Sequence, residues 1–146
     1  MPTPPSGSQR IVPYLTYEDA PAAISFLCEA FGFDEKFRYP MPDQRIGHAE
    51  LSRDGNVIML ASQFEGFGQS PLQLSGVHSF VFCYVDDADA HFERARAAGA
   101  TIVAEPSNEH GQRMYRAMDP EGHRWIFATV LDGDGDASAG TAPEGG

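Results

Sequence analysis

Few side chains in this sequence are typed and spaced for chemistry. It has five histidines, two cysteines and a single lysine, Lys36. No serine sits in a nucleophile-elbow setting, and no glycine-rich loop is arranged to cradle phosphate. Cys28 and Cys83 fall on core-facing positions of an expected helix and an expected strand, so neither is placed as a nucleophile. His91 and His110 read as solvated helix and loop residues. His123 lies in a turn, where a hydrogen bond to backbone is the simple use for it. His78 differs, because it heads an apolar run in which Phe80, Phe82 and Tyr84 alternate with Val81, Cys83 and Val85. Strand alternation puts the histidine and the three aromatics on one face. A lone histidine there reads as a hydrogen-bonded wall residue rather than a metal ligand.

The elements that position these residues occur twice. In residues 22–60 and again in 88–127, an alanine-rich helix carrying a phenylalanine (Phe26, Phe92) ends at a glycine. An extended segment, a strand, a glycine turn and a last apolar strand follow. Gly55 and Gly122 are 67 residues apart, as are Gly32 and Gly99. Residues 11–17 read as a strand with Pro13 at an edge or bulge. Asp19 caps the first helix, Pro21 suits its first turn, and Gly32 ends it. Ala20, Ile24, Leu27 and Phe31 share one helical face. Short strands are expected over 33–39, 45–52 and 56–62, the last two forming a hairpin on Asp54-Gly55. The second half repeats the order: a strand over 78–85, then a helix capped by Asp86 with Asp89. Ala88, Phe92, Ala95 and Gly99 form that helix's buried face. A strand over 101–105, a loop over 107–110 and strands over 112–118 and 124–130 complete the half. The fold class is therefore α+β, two βαβββ repeats forming one curved eight-stranded mixed sheet with helices on its convex face.

Length and composition set the limits. A chain of 146 residues suits one domain with a proper core. Residues 1–9 read as a flexible leader without the features of a secretory signal. The domain spans 10–131, with repeat one at 11–62, a connector at 63–77 and repeat two at 78–130. Residues 132–146 hold no aliphatic side chain larger than alanine and read as a disordered acidic tail. The connector's Phe64, Phe67 and Leu72 either pack on the core or lid a pocket. No apolar run is long enough to span a bilayer. A net charge of −11 disfavours nucleic acid as a partner. Two cysteines without a disulfide framework make the cytoplasm the default.

The repeat, His78 leading into Val85-Asp86, Phe92 with Gly99, and above all Asp119-Pro120-Glu121-Gly122-His123 carry a resemblance. The chain resembles the glyoxalase/bleomycin-resistance/extradiol-dioxygenase family, the vicinal oxygen chelate superfamily. That resemblance implies a cavity on the concave face. In metal-dependent members it also implies one divalent ion held by donors from the first and last strands of each half. The four matching positions here are Val12, Met59, His78 and Ile126. One donor of four cannot hold a catalytic ion, so no metal and no cofactor are expected. His48 and Tyr115 occupy matching positions in the third strands, and their facing is open at this point.

Alternation fills the expected cavity with aromatic and aliphatic side chains. Tyr14, Met59, His78, Phe80, Phe82, Arg124 and Ile126 form its wall, with Tyr14, His78 and Arg124 as polar groups. Trp125 and Phe127 pack beneath the helix. Such a lining suits stacking and burial of an organic molecule. The favoured reading is a metal-free binding protein of the bleomycin-resistance type, assembled as a homodimer and holding an aromatic or planar small molecule. The alternatives are a metal-dependent glyoxalase-type lyase, isomerase or dioxygenase, and a metal-free enzyme using His78 or Tyr14 as acid or base.

Overall fold

The computed structural model describes residues 9–131, so the expected acidic tail and all of the expected leader but Gln9 lie outside the described residues. The first half contains β1 (Tyr14–Tyr17), α1 (Ala20–Phe31), β2 (Asp34–Met41), β3 (Arg45–Arg53) and β4 (Asn56–Ser62). The second contains β5 (Phe80–Tyr84), α2 (Ala88–Ala97), β6 (Thr101–Glu109), β7 (Gln112–Met118) and β8 (Arg124–Val130). Both are βαβββ, and the class is α+β. The eight strands form two open mixed sheets of four, ordered β1-β4-β3-β2 and β5-β8-β7-β6, rather than the one continuous eight-stranded sheet expected. In each, the first strand runs parallel to the fourth. Among the described residues no helix is long and apolar enough to cross a membrane.

Local chemistry explains the elements. The Asp19 carboxylate accepts from the Ala22 N–H at 3.1 Å, and Gly32 closes α1 in the left-handed region at φ 84°. The expected face of α1, Ala20, Ile24, Leu27 and Phe31, is buried. Some expectations need correction. The cap of α2 is Asp87, which accepts from the Ala90 N–H at 3.0 Å, rather than Asp86 with Asp89. Gly99 is exposed at φ 100° and serves the chain reversal, not the buried face. Residues 107–110 are not a loop. His110 and Gly111 take positive φ, 54° and 76°, in a two-residue hairpin turn, so the ladder continues to the pair Glu109 and Gln112. β1 begins only after Pro13, which lacks an N–H to donate. β5 begins at Phe80, leaving His78 in the preceding bend.

One core joins the halves on their helix sides. Phe31 at the end of α1 lies 5.2 Å from Trp125 and 4.8 Å from Phe127, between ring centroids, and both of those residues belong to β8. His91 of α2, expected to be solvated, is buried in this cluster. Its Nε2 donates to the Phe31 carbonyl at 3.0 Å, and its Nδ1 accepts from the Tyr115 hydroxyl at 2.6 Å. Burial is the main cause that pushes the His91 pKa down to about 4; Arg53 and Arg94 push the same way against the raising effect of the Phe31 carbonyl.

The closing turn of the second half fastens the end of β1. Buried Asp119 accepts from the Tyr17 hydroxyl at 2.6 Å and from Trp125 Nε1 at 3.2 Å. Glu121 accepts from the backbone N–H groups of Glu18 and Asp19 at 2.7 and 2.8 Å and from the Ser70 hydroxyl at 2.6 Å. His123 Nε2 meets the Thr16 carbonyl at 2.8 Å, the backbone bond expected of it.

Two stability predictions follow from these groups. Glu121→Ala leaves the buried Ser70 hydroxyl and two part-buried backbone N–H groups without their acceptor and should cost about 1–3 kcal/mol in denaturant unfolding; a loss below about 0.5 kcal/mol would contradict the fastening role. The depressed His91 pKa means the unfolded chain binds more protons below the ordinary histidine value of 6.5. His91's contribution is therefore complete above pH 6.5 and fades as pH falls towards 4. Between pH 7 and pH 4 the wild type should lose roughly 3 kcal/mol more than His91→Gln. Parallel stability curves for the two proteins would refute this.

Candidate functional site

The sheet faces turned away from the helices hold six of the seven expected wall residues. Directly paired residues of a sheet point to the same side. Tyr14 pairs with Met59, Met59 with Glu50, and Glu50 with Phe37, so these four make one row across β1, β4, β3 and β2. Tyr39 pairs with His48 on the same face. Leu15, Tyr17, Ala49, Leu51, Ile58 and Leu60 occupy the other side and are buried. In the second sheet Phe80 pairs with Arg124 and Phe82 with Ile126. Trp125 and Phe127 lie on the helix side and are fully buried. The alternation expected for β5 is present: Val81 and Cys83 pack against the core, whereas Phe80, Phe82 and Tyr84 remain 52%, 46% and 57% exposed.

The seven expected wall residues thus fall into two groups. Tyr14 and Met59 share the face of the first sheet; Phe80, Phe82, Arg124 and Ile126 share the face of the second. His78 precedes β5 and is exposed. Arg124 bends back to donate from Nη1 to the Gly122 carbonyl at 2.5 Å, so part of its polarity is used by the closing turn. A cleft of about 530 Å³ lies between the β3–β4 turn and β5, lined by Arg53, Val57, Cys83 and Tyr84 among others. Of the seven residues only Phe82 borders it.

The first sheet holds two polar residues that sequence reasoning did not assign, His48 and Glu50. The Tyr14 hydroxyl lies 2.7 Å from His48 Nδ1, and His48 Nε2 lies 3.0 Å from Glu50 Oε2. Burial, then the Glu50 charge, raises the Tyr14 pKa and keeps its hydroxyl protonated. His48 and Tyr115, matched by counting from the turn glycines, face opposite ways. Ala49 pairs with Leu60, and Tyr115 pairs with Phe127. The β7–β8 turn is one residue longer than the β3–β4 turn between equivalent pairs, Met118 with Arg124 and Ser52 with Val57. That extra residue makes Ala49 the true counterpart of Tyr115 and sends His48 to the open face. The usable signal was the difference in turn length.

The connector also departs from a plain core-packing role. Phe64 lies beneath the Arg45 guanidinium at 3.9 Å, while Phe67 is 59% exposed and meets Tyr14 edge to face at 5.7 Å. Leu72 is exposed as well.

The sequence profile of the Glyoxalase/Bleomycin resistance protein/Dioxygenase superfamily matches residues 9–127. An uncharacterized protein of Mycobacterium tuberculosis, Rv0887c, is 36% identical over 118 residues, which are 77% of this chain and 69% of its own. Among solved structures, TioX from Micromonospora sp. ML1 aligns with a TM-score of 0.69 at 35% identity, over 85% of this chain and 100% of TioX. FosX of Listeria monocytogenes, a fosfomycin resistance protein solved with Mn(II) and sulfate, aligns with a TM-score of 0.66 over 90% of this chain and 98% of its own. At 15% identity the FosX likeness is one of fold.

The donors expected for such an ion are mostly absent from the described residues. Of the four positions that the resemblance implies, Val12, Met59, His78 and Ile126, only His78 is a donor, and it stands outside the paired strand; the register matches Val12 to Phe80 rather than to His78, since Tyr14 pairs with Met59 and Phe82 with Ile126. Among the described residues no three His, Cys, Asp or Glu side chains gather as a metal site. A divalent ion that binds only the folded state would raise the melting temperature. Added Mn, Ni or Zn at about a hundred times the protein concentration should leave the melting temperature unchanged; an upward shift of several degrees, reversed by chelator, would contradict the donor argument.

Proposed function

The chain belongs to the glyoxalase/bleomycin resistance protein/dioxygenase superfamily, and from that premise we propose that it is a metal-free binding protein for an aromatic or planar organic molecule. The observation that carries this reading is the pair of uncovered aromatic faces, one on each sheet. Tyr14, Phe37 and Tyr39 stand open on the first, and Phe80, Phe82 and Tyr84 on the second. Contiguous exposed apolar surface of this kind marks a binding surface. Aromatic rings supply a large contact area at little conformational cost. Tyr14, Met59, His78, Phe80, Phe82, Arg124 and Ile126 are the proposed wall.

A homodimer completes the proposal. The open faces belong to different sheets, and a twofold pairing of unlike faces makes two identical sites. Each site joins Tyr14 and Met59 of one protomer to Phe80, Phe82, Arg124 and Ile126 of the other. The protein acts in the cytoplasm, a compartment that its two free, half-buried cysteines suit.

The test is a thermal-shift screen of aromatic antibiotics and metabolites, with each hit repeated on two variants. Phe80→Ala should weaken binding by about 1–3 kcal/mol through lost burial and stacking, and His78→Ala should weaken it less. Hits that bind wild type and both variants equally would place the ligand elsewhere. Sedimentation at roughly tens of micromolar should show a dimer; a monomer there would remove the shared-site arrangement.

A further inference from the structure

The Tyr14–His48–Glu50 chain has a fixed hydrogen-bonding sense. A carboxylate only accepts, so the bond from His48 to Glu50 places the imidazole proton on Nε2. With the proton on Nε2 alone, the ring offers a lone pair at Nδ1, to which the Tyr14 hydroxyl, 2.7 Å away, donates. With its only proton committed inward, the phenol oxygen presents lone pairs to the outside. Tyr14 is 41% exposed, so an arriving molecule can reach that oxygen.

The surroundings are aromatic. The Phe67 ring meets Tyr14 edge to face at 5.7 Å, and Phe37 lies 6.2 Å from His48 between ring centroids. The loop carrying Phe67 rests tightly on β1: a Cβ at Gly68 would sit 2.7 Å from Thr16 Oγ1. Stacking surface and one polar atom of defined sense therefore occur together.

We propose that Tyr14, oriented by His48 and Glu50, reads a hydrogen-bond donor on the bound aromatic molecule, a phenolic or enolic hydroxyl or a ring N–H. His48 and Glu50 are positioning residues that act through Tyr14. A hydroxyl ligand donates to the Tyr14 oxygen. An acidic one passes its proton to that oxygen as the Tyr14 proton moves to Nδ1. The products are the ligand anion, bonded to the Tyr14 hydroxyl, and an imidazolium paired with the Glu50 carboxylate. Ethers and other pure acceptors at the same position face lone pair against lone pair.

This inference rests on the aromatic-ligand reading above, and the experiment separates the two. The probes are 2-naphthol and 2-methoxynaphthalene, matched in ring and differing in the donor. Fluorescence titration of the full chain should give about tenfold tighter binding of the naphthol. Tyr14→Phe should bring the ratio to about one, as should Glu50→Gln, whose amide removes the fixed sense of the chain. Each variant is first checked for native circular dichroism. Long-range nitrogen–proton NMR of the free protein should show His48 as the Nε2–H tautomer. Equal binding of both probes to wild type, or an unchanged ratio in both variants, overturns the donor-reading site alone. An Nδ1–H tautomer overturns the orientation of the relay. Failure of both probes to bind overturns the aromatic site and the ligand class with it.

Discussion

The packing of Phe31 against Trp125 and Phe127 is the contact on which the rest depends. It consumes the helix-facing surface of both halves, because the end of α1 reaches across to β8 of the other repeat. The backbone termini and side chains around it are satisfied by partners from the opposite half: His91 by the Phe31 carbonyl, Tyr17 by Asp119, and the start of α1 by Glu121. Once those surfaces are spent on each other, the apolar area left over is on the far side of each sheet. The exposed rings of β5 and the open row of the first sheet are the remainder of that division, which is why they are where a ligand or a second copy would be covered.

The two repeats are alike in topology and unlike in chemistry, and the difference traces to one turn. The longer β7–β8 turn brings Asp119, Glu121 and His123 onto the end of β1. The shorter β3–β4 turn brings Arg53 and Asp54 beside β5 instead, where they border the cleft next to Phe82 and Tyr84. The same added residue shifts the register of the third strand. It turns Tyr115 into the core beside His91 and leaves His48 on the open face with Tyr14. One repeat thereby became the structural anchor and the other acquired the polar chain.

Much of this was legible in the residues. Period-two alternation separated Phe80 and Phe82 from Val81 and Cys83, and Asp19 with Gly32 bounded α1. The burial of His91 is barely legible locally, because its partners, Phe31 and Tyr115, come from 60 and 24 residues away. Its own neighbours did carry a hint, since it lies three residues after Ala88 on the same helical face. The far end of β6 is polar and carries no apolar alternation, so neither it nor the His110-Gly111 turn that extends the ladder stands out in the sequence. The facing of His48 stayed open, and Glu50 unassigned, because a match by fixed spacing assumes equal turns. Strand facing is a count of residues modulo two, and a single inserted residue reverses it.

The central claim is that an aromatic organic molecule, rather than a metal ion, occupies sites shared between two copies of this chain. Native mass spectrometry of protein purified without chelator tests it most directly, because oligomer mass, bound metal and retained small molecules are read together. The account predicts a dimer that takes up added hydroxy-aromatic ligand to a limit of two per dimer and carries no stoichiometric metal. A monomer holding about one divalent ion per chain and taking up no aromatic ligand would contradict it.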